Sequence, residues 1–185
     1  KQQIMSKQIT NTDKEAVKYF KNYLQQEGFS SIEKLPTFSD VAADVKAVSP
    51  KGRVTYFEIK STKRNDCCWS RISFNELVSA LDSQKYDYDY FFVIIRKGNT
   101  SSKAVDGFRF IYPKDNNGQG EIFLSLEDIL KFTTRHQFYF GIDINVNYKN
   151  SLFSAEKKGV KEPYSCDDVK TICDKIKELK EHHIL

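Results

Sequence analysis

Apolar residues recur three and four positions apart, the spacing of one helix face, in several segments of the chain. The first segment runs for about fifteen residues and ends at Gly28, a residue type that commonly follows the last turn of a helix. At Thr12, Ser73 and Ser125 an acidic residue follows three positions later, which is the spacing of a capping box. The pattern predicts four helices, which open at Thr12, Ser73, Ser125 and Ser165.

A β-hairpin is predicted between residues 43 and 60, where two extended segments flank Pro50-Lys51-Gly52. Proline presets the first turn angle and glycine tolerates positive φ, so this tripeptide suits a three-residue loop closed by a glycine bulge. Such a loop sets Asp44 opposite Glu58 and collects apolar residues on the other face of the hairpin. A four-residue loop would shift the pairing by one and mix polar with apolar residues on both faces, so the bulged register is preferred.

Residues 90–95 are continuously apolar and β-prone, as expected of a strand that is covered on both faces. Further strands are predicted at residues 108–112, 121–124 and 138–146, the first two joined by a turn at Asn116-Asn117-Gly118. Helical segments stand on either side of these strands in the chain order. The prediction is therefore an α/β (α+β) fold in which a mixed central β-sheet is flanked by helices.

Length and composition narrow the classes of protein to which the chain can belong. Its 185 residues suit a single domain over residues 1–185, and its longest apolar run is too short to cross a membrane. Four cysteines without the paired spacing of a zinc site, and no secretory leader, are expected of a cytoplasmic protein. The net charge of +4 permits a polyanionic partner. Since there is no glycine-rich phosphate loop, a nucleotide-driven motor is not expected.

The tripeptide Glu58-Ile59-Lys60 carries the clearest chemical signal. Residues two apart on a strand share a face, so Glu58 and Lys60 stand together beside Asp44 on the neighbouring strand. Two carboxylates directly opposite have Cβ atoms about 5 Å apart and repel, unless a cation such as Mg²⁺ neutralises them. An ammonium group at Lys60 can orient the attacking water and stabilise charge on a phosphoryl group. These residues suit phosphodiester hydrolysis.

This pattern resembles the core of the PD-(D/E)XK superfamily, the restriction-endonuclease-like nucleases. In that family an acidic residue opens one strand and a second acid and a lysine end the next, as Asp44, Glu58 and Lys60 do here. Ala43 stands where the family often has proline. With its flanking helices and buried strand, the segment of residues 12–96 is similar to the NO VEIN C-terminal-type nuclease-like domain. Residues 97–185 would then be a family-specific C-terminal elaboration.

The resemblance implies a Mg²⁺-dependent endonuclease, with Mn²⁺ as a substitute ion, that hydrolyses DNA within a restriction or other defence system. Asp44, Glu58 and the carbonyl of Ile59 would hold the metal, and Lys60 would position the nucleophilic water. The implied partners are DNA and a second copy of the chain or a larger restriction or defence complex, and no membrane. Two alternatives stay open: a non-catalytic DNA-binding or scaffolding module, and a structure-specific repair or recombination nuclease.

The family also places an acid from each flanking helix near the metal, here Glu15 and Glu76. Both are the third helical residue of a capping box, which explains them equally well without chemistry. Asp40 is a rival to Asp44 but lies beyond the predicted end of the hairpin. Lysine and arginine residues near the motif can contact phosphates or belong to a solvated loop. These nucleic-acid-binding candidates are Lys63, Arg64 and Arg71.

Overall fold

The computed structural model describes residues 11–37, 39–63, 67–83, 85–97, 108–111, 122–138, 141–147 and 165–182. The helices in these ranges are α1 (Asn11–Gln26), α2 (Phe74–Asp82), α3 (Leu126–Phe132) and α4 (Cys166–Glu181). The strands are β1 (Ser30–Lys34), β2 (Val45–Val48), β3 (Val54–Thr62), β4 (Cys67–Ser73), β5 (Asp89–Lys97), β6 (Phe108–Ile111), β7 (Thr133–Phe138) and β8 (Gly141–Asn147).

The strands form two sheets. The larger has the order β1-β2-β3-β5-β6, and within it β3 and β5 run parallel while the other neighbours run antiparallel. The smaller is antiparallel, with the order β4-β8-β7. The predicted mixed sheet flanked by helices is confirmed. The second sheet was not predicted.

The register of the β2–β3 hairpin is the predicted one. Val48 pairs with Val54 and Val45 pairs with Phe57. Gly52 has a φ of +78° and donates its N–H to the carbonyl of Ser49 at 2.8 Å, as a bulged turn requires. Because β2 begins at Val45, Asp44 lies one residue before the strand.

Helix α1 ends as the sequence predicts but begins earlier. Gly28, with a φ of +79°, donates its N–H to Gln25, and Phe29 donates to Leu24, which together make a Schellman motif. Thr12 already lies inside the helix, so the prediction that it caps α1 is wrong. The serine caps of α2, α3 and α4 are confirmed, each in a reciprocal bond with an acid three residues on.

The larger sheet is covered on both faces, which explains the continuous apolar run of β5. Helix α1 packs on one face, and α2, α3 and α4 pack on the other. Alternate residues of β5 enter the two cores, Phe91, Val93 and Ile95 on the α1 side, and Tyr90, Phe92 and Ile94 on the α2 side. None of the helices in the described ranges is long and apolar enough to cross a membrane.

Two strand predictions in the second half of the chain need correction. Leu124 does not continue a hairpin with β6 but exchanges backbone hydrogen bonds of 2.7 and 2.9 Å with Phe92 of β5. The single strand predicted at residues 138–146 is two strands, because Phe138 ends β7 and Gly141 begins β8. The predicted turn at residues 116–118 lies outside the described residues.

Candidate active site

Strand β3 carries two charged side chains into the interior, on the face covered by α2. Glu58 and Lys60 are each only 4% exposed. The Lys60 ammonium donates to Glu58 Oε1 at 2.6 Å and to Glu76 Oε2 at 2.8 Å. The predicted pairing of Glu58 with Lys60 on one strand face is therefore present, and Glu76 joins it from α2.

Glu76 caps α2 and also contacts Lys60. Its backbone N–H donates to the Ser73 hydroxyl at 3.3 Å, and its carboxylate accepts the Ser73 N–H at 3.1 Å, which completes the capping box of α2. The same carboxylate oxygen accepts from Lys60. The cap fixes the rotamer of Glu76, so that its carboxylate stays directed at the ammonium group.

Asp44 approaches the same strand from the end of β2. Its carboxylate accepts the backbone N–H of Ile59 at 2.8 Å, and its own N–H donates to the carbonyl of Phe57 at 2.9 Å. Asp44 is half-buried. These contacts place a third carboxylate beside Glu58, and its charge helps to raise the pKa of Glu58.

The electrostatics of the cluster are unbalanced. Burial raises the pKa of Glu58 to about 8, assisted by the charges of Glu76 and Asp44 and opposed by Lys60. Burial alone would lower the pKa of Lys60, but Glu58 and Glu76 together raise it above its ordinary value. Three carboxylates lie around one buried ammonium group, so they repel one another when all are ionised. A proton on Glu58, or a divalent cation bound beside it, would reduce that repulsion.

The donor atoms of the cluster determine which kind of metal ion it could hold. Among the described residues, no group of three or more His, Cys, Asp or Glu side chains is arranged to hold a metal. A site closed entirely by such side chains is therefore absent from that part of the chain. Mg²⁺ is usually held by one or two carboxylates and keeps several waters, and the neighbouring carboxylates of Asp44 and Glu58 fit that requirement.

The segment before Asp44 is held by two residues that the sequence analysis did not assign to the site. The N–H of Ala42 donates to the Ser79 hydroxyl on α2 at 3.0 Å, and the carbonyl of Ala42 accepts from the Tyr90 hydroxyl on β5 at 2.5 Å. Both side chains are buried. A tyrosine in a buried strand usually finds a partner for its hydroxyl, and this is the signal in the sequence that could have pointed to Tyr90. Together they position Asp44.

Replacing Tyr90 with phenylalanine is expected to lower the free energy of unfolding by about 1–3 kcal/mol, because the carbonyl of Ala42 loses its side-chain donor in a buried place. Urea denaturation measures the change. Tyr56→Phe is the matched control, since no hydrogen bond of the Tyr56 hydroxyl is found among the described residues. Equal stability of the two variants would show that the Tyr90 contact does not hold the segment.

Other candidates lie away from the cluster. Glu15 is half-exposed on α1, which packs on the opposite face of the sheet, and it pairs with Lys97. The acid of α1 that contacts β3 is Asp13, through the Ser61 hydroxyl, also on that opposite face. Asp40 is exposed in the segment before β2. The structure therefore brings Asp44, and neither Glu15 nor Asp40, to Glu58.

The predicted phosphate-contacting residues lie at the surface where they are described. Lys63 is exposed directly after β3. Arg71 is exposed on β4, where its backbone pairs with Asp143 of β8. Arg64 lies outside the described residues. Both described residues are therefore accessible to a ligand.

Comparison with known proteins identifies the family. A family model described as Protein NO VEIN, C-terminal matches residues 12–106, just over half of the chain. The chain belongs to this family. The match confirms the family predicted from the sequence and includes Asp44, Glu58, Lys60 and Glu76. Among solved structures, the chain is similar to Hjc, a Holliday junction resolvase from the archaeal hyperthermophile Archaeoglobus fulgidus, at 10% identity and a TM-score of 0.40, covering 75% of this chain and 98% of the resolvase. No curated protein matches.

Proposed function

We propose that this member of the NO VEIN C-terminal family is a metal-dependent endonuclease that hydrolyses DNA phosphodiester bonds. The observation that carries the proposal is the burial of Lys60 with Glu58 and Glu76 beside Asp44. A buried ion pair is weak support for stability, because desolvation of the charges offsets their attraction. Buried ionisable groups with shifted pKa values are typical of functional sites.

Each residue has a distinct role in this proposal. Asp44 and Glu58, with the carbonyl of Ile59, would hold Mg²⁺, for which Mn²⁺ would substitute. The ion supplies Lewis-acid stabilisation of the phosphoryl group and lowers the pKa of bound water. Lys60 orients the attacking water by hydrogen bonding and stabilises the negative charge that develops on the phosphate.

Glu76 acts as a positioning residue for Lys60. A cation on Glu58 would compete with the ammonium group for that carboxylate. The capping box holds Glu76 independently of Glu58, so Lys60 keeps one charged partner at 2.8 Å when Glu58 engages a cation. The lysine then stays directed at the site instead of swinging into solvent.

DNA is the proposed substrate because the site chemistry suits a phosphodiester and the chain carries a net charge of +4. Exposed Lys63 and Arg71 add basic groups outside the cluster. Within a restriction or defence system, cleavage of both strands by one such site would require two copies, so a homodimer or a larger complex is the proposed assembly. The proposed compartment is the cytoplasm.

A cleavage panel tests the proposed function. Methylated and unmethylated duplexes, flaps, four-way junctions and RNA are incubated with the purified chain in Mg²⁺, Mn²⁺ or EDTA. Cleavage of DNA only with metal is the expected result. A strong preference for junctions or flaps would favour a repair or recombination nuclease, and salt-dependent binding without any cleavage would favour a non-catalytic module. Absence of cleavage on every substrate would contradict the proposal.

A further inference from the structure

Arg96 lies on the same face of the sheet as the candidate active site. In the parallel pair of β3 and β5, Lys60 is opposite Ile94, and Thr62 is opposite Arg96. Paired residues on neighbouring strands share a face, and residues two apart on one strand do so as well. Strand geometry separates the Cα atoms of Arg96 and Lys60 by about 8 Å. Arg96 is therefore the next cationic residue beyond Lys60 on this face of the two central strands.

The side chain of Arg96 contains a buried N–H group for which the described part of the chain offers no acceptor. Its Nε is buried and has no hydrogen-bond partner among the described residues. A buried N–H group is nearly always paired, and leaving it unpaired is costly. The neighbouring Lys97 pairs with Glu15 on the other face of the sheet.

Arg53, at the opposite end of the same two strands, is an arginine with a structural role, and its ion pairs can be compared with the environment of Arg96. Its Nε donates to Asp89 and its Nη1 donates to Asp87, each at 2.6 Å. Both contacts hold β3 against the segment that leads into β5. Arg96 makes no comparable contact with an acid in the described part of the chain, so a structural ion pair does not explain it.

We infer that Arg96 binds a backbone phosphate of the nucleic-acid substrate beside the cluster of Asp44, Glu58, Lys60 and Glu76. The planar guanidinium fork presents several N–H donors in the geometry that phosphate oxygens accept, and its charge persists at every accessible pH. Arg96 as a whole is half-buried, so part of its side chain stays accessible to a phosphate. This inference rests on the proposed function. It adds a specific contact that would hold the nucleic-acid strand in position relative to Lys60.

The test measures binding without cleavage. Fluorescence anisotropy of a labelled DNA duplex is recorded in EDTA, over a salt series from about 50 to 200 mM. Arg96→Gln is expected to weaken binding about tenfold and to reduce the slope of log affinity against log salt by about one. Arg96→Lys should keep the slope, because its charge is retained, but bind less tightly than wild type since the fork is lost. The matched control is Arg53→Gln, which removes the same charge far from the cluster.

The outcomes separate this inference from the proposed function. If Arg96→Gln and Arg53→Gln have the same affinity and slope, or if the wild-type chain binds no DNA, the Arg96 inference is overturned. If the wild-type chain never cleaves DNA but Arg96→Gln alone reduces the slope, the phosphate contact stands and the nuclease proposal fails. Thermal unfolding verifies that the variants fold. Should Arg96→Gln not fold, Arg96→Lys decides, because a purely structural role predicts wild-type affinity for that variant once it is folded.

Discussion

Replacing Lys60 with alanine lowers the free energy of unfolding by about 3–5 kcal/mol, the largest expected loss for a single substitution in the candidate site. The ammonium group is buried and lies within 2.8 Å of both Glu58 and Glu76. Without it, the carboxylates of Glu58 and Glu76 lose the buried positive charge that both contact. The loss should shrink as the pH falls from 9 to 5, because protonation of Glu58, whose pKa is raised to about 8, relieves the repulsion. Urea denaturation at pH 9 and pH 5 measures both values.

Lys97→Ala is the matched control for this prediction. Lys97 also pairs with a glutamate, Glu15, but the two side chains are 24% and 50% exposed. Exposed pairs contribute about 0.2–1 kcal/mol, so this variant should remain close to wild type. If Lys60→Ala were no less stable than Lys97→Ala, the buried cluster would not be a coupled charge network.

Glu58→Gln is expected to stabilise the protein at pH 8 and to change its dependence on pH. The folded-state pKa of Glu58 is raised from 4.5 to about 8, chiefly by burial. Between those values the folded chain holds a proton that the unfolded chain has released, so wild-type stability falls as pH rises from about 4.5 to about 8. Lys60, whose pKa is raised, stays protonated in both states across this window and adds no slope.

The comparison of wild type with Glu58→Gln isolates the contribution of the cluster, because groups away from it titrate equally in the two proteins. Urea denaturation in EDTA, from pH 5 to pH 8, should show the variant gaining on wild type by several kcal/mol at the upper end. The matched control is Glu15→Gln, which changes an exposed carboxylate. A stability difference that stays constant with pH would refute the raised pKa of Glu58.

Local chemistry made much of the central hairpin predictable. Pro50 and Gly52 specify the turn, the turn specifies the register, and the register brings Asp44 to the strand that carries Glu58 and Lys60. The capping box at the start of α2 was equally predictable from the sequence, because both of its partners lie within one turn of helix. Contacts between residues close in the sequence account for these successes.

The remaining features depend on contacts between distant residues. The pairing of β4 with β8 joins segments about seventy residues apart, and neither strand has a turn signal that points to the other. Glu15 occupies a position expected for a site residue, but α1 lies on the opposite face of the sheet. Only the assembled fold shows that Glu76, known first as a capping residue, also contacts Lys60.

The buried carboxylate of Glu58 affects both the stability of the fold and the proposed chemistry of the site. Its carboxylate is buried with too few positive charges around it, which disfavours its ionised form and makes it ready to exchange a proton for a cation. A neutral glutamine would remove that strain and also remove the metal ligand. We therefore expect one substitution to raise stability and abolish activity, as is common at functional sites.

The rate of Mg²⁺-dependent DNA cleavage by wild type and by Glu58→Gln, on the same duplex and in the same buffer, tests the nuclease assignment most directly. Circular dichroism verifies that both proteins are folded. The predicted result is cleavage by wild type that EDTA abolishes, and a rate at least about 100-fold lower for Glu58→Gln. Equal rates for the two proteins, or no cleavage by wild type, would contradict the assignment of this cluster as a nuclease active site.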